Sequence, residues 1–268
     1  MLRRFSFAAL VSMLFSAVVL FPSQAFGADE KTYTVEQIVE TTIAVYGGRQ
    51  GLSQIRRNGD ERGRLTRTGN DGRVEDVTYE RRFVRGETAD KDKIRLDKKT
   101  PTIEYSLLMG GGKMWGIING AVFTPREDAS AEFKNEINHG IDALLRYKEN
   151  GATITMVGRE KHKNVDLFVI DLTDKDNLKT RYYISATYFR VSWLEYEAPA
   201  TTGSAQVKFI RRFYDYHSSQ GTLVPFRSIL LEDGKVAQES RIQTITFGVK
   251  LDDSIFQNPD AQTSSANP

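Results

Sequence analysis

Two long stretches of period-two alternation constrain this chain more than any other feature, because they commit most of it to a wide antiparallel sheet. Between residues 59 and 123, Val77, Tyr79 and Phe83 alternate with Thr78, Glu80 and Arg82, and Ile94 and Leu96 alternate with charges. Ile103, Tyr105, Leu107 and Met109 form another stripe. After Gly151 the alternation resumes, with strands expected over 154–157, 167–172, 181–184, 189–196, 206–216, 223–231 and 239–247. Turn signals at 69–72, 86–92, 110–113 and 119–120 separate the earlier strands. About ten or eleven antiparallel strands are too many for a flat open sheet, so the sheet must curl and its concave face must be filled. The expected fold class is α+β: a strongly curled antiparallel sheet, an incomplete β-barrel, with helices covering the concave face.

Two amphipathic segments are available for that cover. Thr34 and Gln37 have capping-box spacing, Val35, Ile38, Val39, Thr42, Val45 and Tyr46 follow at helical intervals, and Gly47-Gly48 supply a left-handed stop. Residues 49–57 add a short turn through Leu52 and Ile55. Further on, Phe133, Ile137, Ile141, Leu144 and Leu145 predict a single long helix, begun at Asp128 or Ser130 and ended by Gly151. A helix of this kind packs on the sheet and can lift from it as a lid.

The N-terminus reads as an export signal. Arg3 and Arg4 precede an apolar run over residues 8–20, and Ala25-Phe26-Gly27 offers the small residues that a signal peptidase requires. Residues 1–27 are expected to be removed after Gly27. The competing reading is a retained anchor, although the run makes a helix of only roughly 20 Å against a hydrocarbon core of roughly 30 Å. The domain then spans 28–259, and the polar residues 260–268 form a disordered tail. Loss of Arg3 and Arg4 from 37 basic side chains leaves 35, equal to the 35 acidic ones, so the precursor's net charge of +2 is no argument for nucleic-acid binding. Residues 49–99 nonetheless hold 15 basic side chains against 10 acidic. They form either the watered face of antiparallel strands or a docking patch, for which Arg62, Arg64, Arg81 and Arg82 are the candidates.

Catalytic signals are missing. The chain has no cysteine, which excludes disulfides, thiolate metal sites and cysteine nucleophiles. His139, His162 and His217 are isolated, and no Gly-x-Ser-x-Gly elbow occurs. Gly110-Gly111-Gly112-Lys113 lacks the spacing of a phosphate loop and reads as a hairpin turn. The expectation is no enzyme, no metal and no cofactor, with the reservation that carboxylates brought together only by folding escape a sequence search.

Motifs at both ends carry a resemblance. Tyr46-Gly47-Gly48 followed by Leu52, Ile55 and Gly63, and Tyr214-Asp215-Tyr216 followed by Gly221, Val224-Pro225, Asp253, Phe256 and Pro259, resemble the opening and closing of the LolA/LolB-like periplasmic outer-membrane lipoprotein-sorting proteins. Met114-Trp115, Tyr182-Tyr183-Ile184 and Phe189-Arg190-Val191 fall where that family has its central hairpins. The resemblance spans nearly the whole mature chain and rests on the order of individually weak motifs. It implies a half-barrel closed by helices, located in the periplasm, with an apolar cavity that holds acyl chains. The family's functional arginine has no identifiable counterpart here.

Sheltering one methylene is worth about 0.8 kcal/mol, so a sixteen-carbon chain loses on the order of 12 kcal/mol in water, and a carrier needs an oily cavity rather than a catalytic group. The candidate cavity residues are Tyr105, Trp115, Ile137, Ile141, Leu144, Phe168, Ile170, Trp193, Phe209 and Phe213. For each of them plain core packing is the commoner role, since the same inward face serves both core and ligand contact. The expected function is a monomeric periplasmic binder or carrier of lipid or acylated lipoprotein, without nucleic acid. The alternative is a periplasmic sensor or interaction module that docks on an inner- or outer-membrane envelope protein. An integral outer-membrane barrel is disfavoured by the 133–145 helix and by a C-terminus that lacks an aromatic residue.

Overall fold

A computed structural model describes residues 32–69, 72–200 and 205–258; the expected signal at 1–27 and tail at 260–268 lie outside the described residues. The alternating segments form one open antiparallel sheet of 13 strands, wider than the sequence suggested. The first meander runs β1 (Asn58–Thr68), β2 (Val74–Val84), β3 (Lys93–Lys99), β4 (Glu104–Gly110), β5 (Lys113–Ile118) and β6 (Ala121–Phe123). The second runs β7 (Thr153–His162), β8 (Val165–Thr173), β9 (Lys179–Ser185), β10 (Val191–Pro199), β11 (Gln206–Ser219), β12 (Thr222–Glu232) and β13 (Lys235–Phe247). β13 pairs with β1, so the chain starts mid-sheet, walks to the β6 edge, crosses to the β7 edge and walks back. Hairpin chemistry accounts for the short turns. Gly111 and Gly112 both take positive φ between β4 and β5, the two-residue turn that matches strand twist.

The helices follow from local signals, with one exception. In α1 (Val35–Val45) the Thr34 side chain accepts from the Gln37 amide and the Gln37 side chain accepts from the Thr34 amide, completing the expected capping box. α2 (Gly48–Gln54) follows directly. The expected single helix over 133–145 is instead two: α3 (Glu127–Asn138) and α4 (Ile141–Leu145). Gly140 is extended at the break, and a β-carbon there would lie 2.9 Å from the Glu136 carbonyl. The Gly140 carbonyl is freed to accept a 2.8 Å hydrogen bond from Tyr182 on β9. Asp128 lies inside α3 rather than capping it, and the cap position is Arg126.

Among the described residues, apolar side chains gather in three groups. The largest joins Ile38, Val39 and Ile43 of α1 and Tyr46 just after it with Leu144 and Leu145 of α4 and with Phe168, Ile170, Leu172, Tyr182, Ile184, Leu194, Tyr196 and Phe209 from β8–β11. A second, around Phe83, Ile94, Leu96, Leu107 and Phe247, receives Phe133 and the half-buried Ile137 from α3. The third holds Leu167, Val169 and Tyr183 with Trp193. Along β8 these alternate with Phe168 and Ile170, so the third group lies on the opposite sheet face.

Candidate functional site

The space between α3, α4 and the first meander mixes charged side chains with apolar ones. On the strands, Glu61, Arg67, Tyr79, Arg81, Lys98 and Arg211 line these spaces. Glu132, Glu136 and Asp142 meet them from α3 and α4. A cavity of about 160 Å³ lies under the α3–α4 junction. A second of about 100 Å³ adjoins it, sharing Glu61, Arg81, Glu136 and Arg211. A third space, of about 530 Å³, opens beside the start of α3, against Ile103, Tyr105, Leu107, Ile118 and Phe123, and shares Glu132 with the second. The hollows therefore run along α3, mixed in lining toward its C-terminus and more apolar toward its N-terminus.

Ion pairs pin the helices at a few points. Arg85 donates to Asp142, Arg56 lies 3.2 Å from the same carboxylate, and Arg146 donates to Asp92 at 2.8 Å. Arg67 donates to Glu132, with Lys98 at 3.7 Å. Tyr79 donates to Glu61 at 2.9 Å. These environments pull the titrations apart. Burial raises the Asp142 carboxyl, but the Arg56 and Arg85 cations outweigh it and hold the group far below the usual carboxylate range. Glu136 is likewise opposed by burial and held down by Arg211, Arg81, Lys98 and Arg67. At Glu61 burial prevails and pushes the carboxyl up. Burial lowers Lys98 despite Glu132.

The expected cavity residues separate into four places. Ile137, Ile141 and Phe213 line the 160 Å³ cavity. Tyr105 lines the 530 Å³ groove. Leu144, Phe168, Ile170 and Phe209 are packed in the largest core group, with Phe209 stacked 5.2 Å from Tyr196. Trp115 and Trp193 are corrections to the expectation of a shared inner face. Trp115 pairs with Leu108 while its neighbour Gly116 pairs with Leu107 of the inner stripe, and Trp193 stacks on Tyr183 at 4.4 Å on the opposite face. A register shift between Val191 and Trp193 explains the latter, because it puts Val191 and Leu194 on the same face and turns Trp193 away.

The arginine patch divides in the same way. Arg62, Arg64 and Arg82 share the outer face, where Arg62 pairs with Glu80 at 2.7 Å and Arg82 with Glu80 and, at 3.2 Å, with Asp97. Arg81 is on the inner face, its guanidinium 5.5 Å from the Phe83 ring centroid. Sequence reasoning assigned Arg81 to a docking patch and missed Glu61 and Arg211 as site residues, although each lies in phase with apolar neighbours: Arg81 with Tyr79 and Phe83, Glu61 with Leu65, and Arg211 with Phe209 and Phe213. His139, buried at the helix break, hydrogen-bonds Thr180 at 2.6 Å and stacks on Tyr196 at 4.0 Å. No group of three or more acidic or histidine side chains suited to a metal ion occurs among the described residues.

No helix among the described residues is long and apolar enough to cross a membrane. No protein-family model matches the chain, and no curated protein matches it in sequence. Its architecture, however, is shared. A LolA superfamily protein from Nitrosomonas europaea superposes with a TM-score of 0.60 at 15% identity, over 85% of this chain and 99% of the other. A DUF1329 family protein from Desulfovibrio piger gives 0.61 at 11% identity, over 85% and 99%. A candidate outer membrane lipoprotein-sorting protein domain from Vibrio parahaemolyticus gives 0.57 at 12% identity, over 82% and 97%. At such identities the likeness carries the architecture alone, and this chain has a LolA-like fold.

Proposed function

We propose that this chain is a periplasmic binding or carrier protein, not an enzyme, whose ligand is a lipid or the acyl chains of a lipoprotein. The sheet curls around the helices as a half-barrel, and the ligand enters by displacing α3. The observation that carries this reading is the run of hollows beneath α3, a helix with one fully buried side chain, Phe133, in its whole length. The 160 Å³ cavity is smaller than the roughly 300–1,000 Å³ of small-molecule sites, whereas the 530 Å³ groove is within that range. A chain therefore takes the apolar groove first and extends under α3 as the helix rises. The outer face gives less support to the docking alternative, since Arg62 and Arg82 are already matched by Glu80 and Asp97.

Gentle purification from cell envelopes followed by lipid extraction and mass spectrometry tests this reading, alongside titration with a fluorescent fatty acid. A co-purifying lipid and saturable uptake are expected. Empty protein that takes up no fatty acid contradicts it.

A further inference from the structure

We infer that the cavity beneath the α3–α4 junction is a receptor for one compact oxyanion, a carboxylate or phosphate group, gripped by Arg56, Arg81 and Arg211. Five arginines line this space against four carboxylates, and the pairing within it is uneven. Asp142 is held between Arg56 and Arg85, and Asp92 by Arg146, which leaves Glu61 and Glu136 to face Arg81 and Arg211. Neither Arg81 nor Arg211 makes an ion pair among the described residues. Arg56 is only 9% exposed, yet its Nε and Nη1 have no hydrogen-bond partner among the described residues. A buried donor without an acceptor is costly, and the cost is removed by a group that presents several acceptor oxygens.

Size and chemistry agree on that group. A water takes about 30 Å³ of liquid, so 160 Å³ holds a headgroup or a few waters but not a hydrocarbon chain. Guanidinium forks match carboxylate and phosphate oxygens geometrically, and their weak hydration suits an enclosed site. Of the two acids left facing the pair, Glu61 is already engaged by the Tyr79 hydroxyl, which donates to it at 2.9 Å. The oxyanion is either free or the polar end of an amphiphile whose chain lies beneath α3; the second source rests on the function proposed above.

Calorimetric titration of the mature protein with 1-palmitoyl lysophosphatidate, 1-monopalmitoylglycerol and inorganic phosphate separates the possibilities. The first two differ only in the phosphate. Lysophosphatidate is expected to bind at least tenfold tighter than the monoglyceride, a preference that Arg211→Gln and Arg81→Gln each reduce to under threefold while both amphiphiles still bind. These two positions are chosen because neither side chain holds an ion pair, and thermal melts check that both variants fold. Phosphate bound without either amphiphile supports the oxyanion site and defeats the lipid reading. Equal affinity for the two amphiphiles with no response to phosphate overturns the oxyanion site and leaves the lipid reading standing. No binding of any probe overturns both.

Discussion

The two meanders of the sheet meet their helices in opposite ways. Under α1 the second meander is dry and interlocked: Ile38 and Val39 from the helix meet Phe168, Ile170 and Tyr182, all essentially without exposure. Under α3 the first meander offers Glu61, Arg81 and Lys98 amid its apolar side chains, and the helix answers with Glu132 and Glu136. One half of the molecule holds the fold together, and the other leaves space along a helix tied by a few ion pairs. A carrier needs both properties, since a frame that yielded everywhere would not refold around its ligand and one packed everywhere would admit none.

Truncation of a core ring should separate the halves most strongly. Phe168→Ala is expected to cost about 3–5 kcal/mol in urea denaturation, because the surrounding Tyr33, Phe189 and α1 side chains cannot collapse into the gap. Next in size is a pH effect at the junction. Burial, and secondarily Arg211, depresses the His139 imidazole to about 4. Below pH 6.5 the unfolded chain takes up a proton that the folded chain refuses until about pH 4, so stability falls through that window by roughly 3 kcal/mol. His139→Gln should flatten this part of the stability profile relative to the parent; an unchanged slope would place the loss elsewhere.

Phe133→Ala on α3 should cost less than Phe168→Ala, about 1–2 kcal/mol, because α3 can settle and water can enter beside it. It should also speed amide exchange in α3 while α1 stays protected; exchange that rises equally in both helices would erase the distinction between the halves. Smallest of all is Arg62→Ala on the outer face, expected to leave the urea midpoint essentially where it is in the parent, since that side chain is 60% exposed and its ion pair is screened by solvent.

Much of the frame was legible in the sequence. The capping box at Thr34, the stop at Gly47-Gly48 and the hairpin at Gly111-Gly112 are local chemistry, and they appear where the residues require them. Helix continuity across 133–145 was not legible, because the apolar spacing runs through Gly140, whereas the carbonyl exposed at the break is met by Tyr182 from another part of the chain. The candidate site was the least legible part. Period two assigns neighbours to opposite faces but does not say which face meets a helix, so Arg81 and Arg82 read alike although one lines the cleft and the other does not. A register shift beside Ser192 turned Trp193 outward without any mark in the residue pattern. The unevenness at Arg56 arises only when β1, β2, α3, α4 and β11 come together.

The central claim, that ligand enters by movement of α3 over a fillable space, is tested most directly by tying the helix down. The chain has no cysteine, so Arg67→Cys with Glu132→Cys, whose parent side chains are ion-paired across the cleft, provides the only two thiols. Uptake of a fluorescent fatty acid by the double variant should be saturable before treatment and fall at least tenfold once a short bismaleimide joins the pair. Uptake that is undiminished in the linked protein would contradict the account.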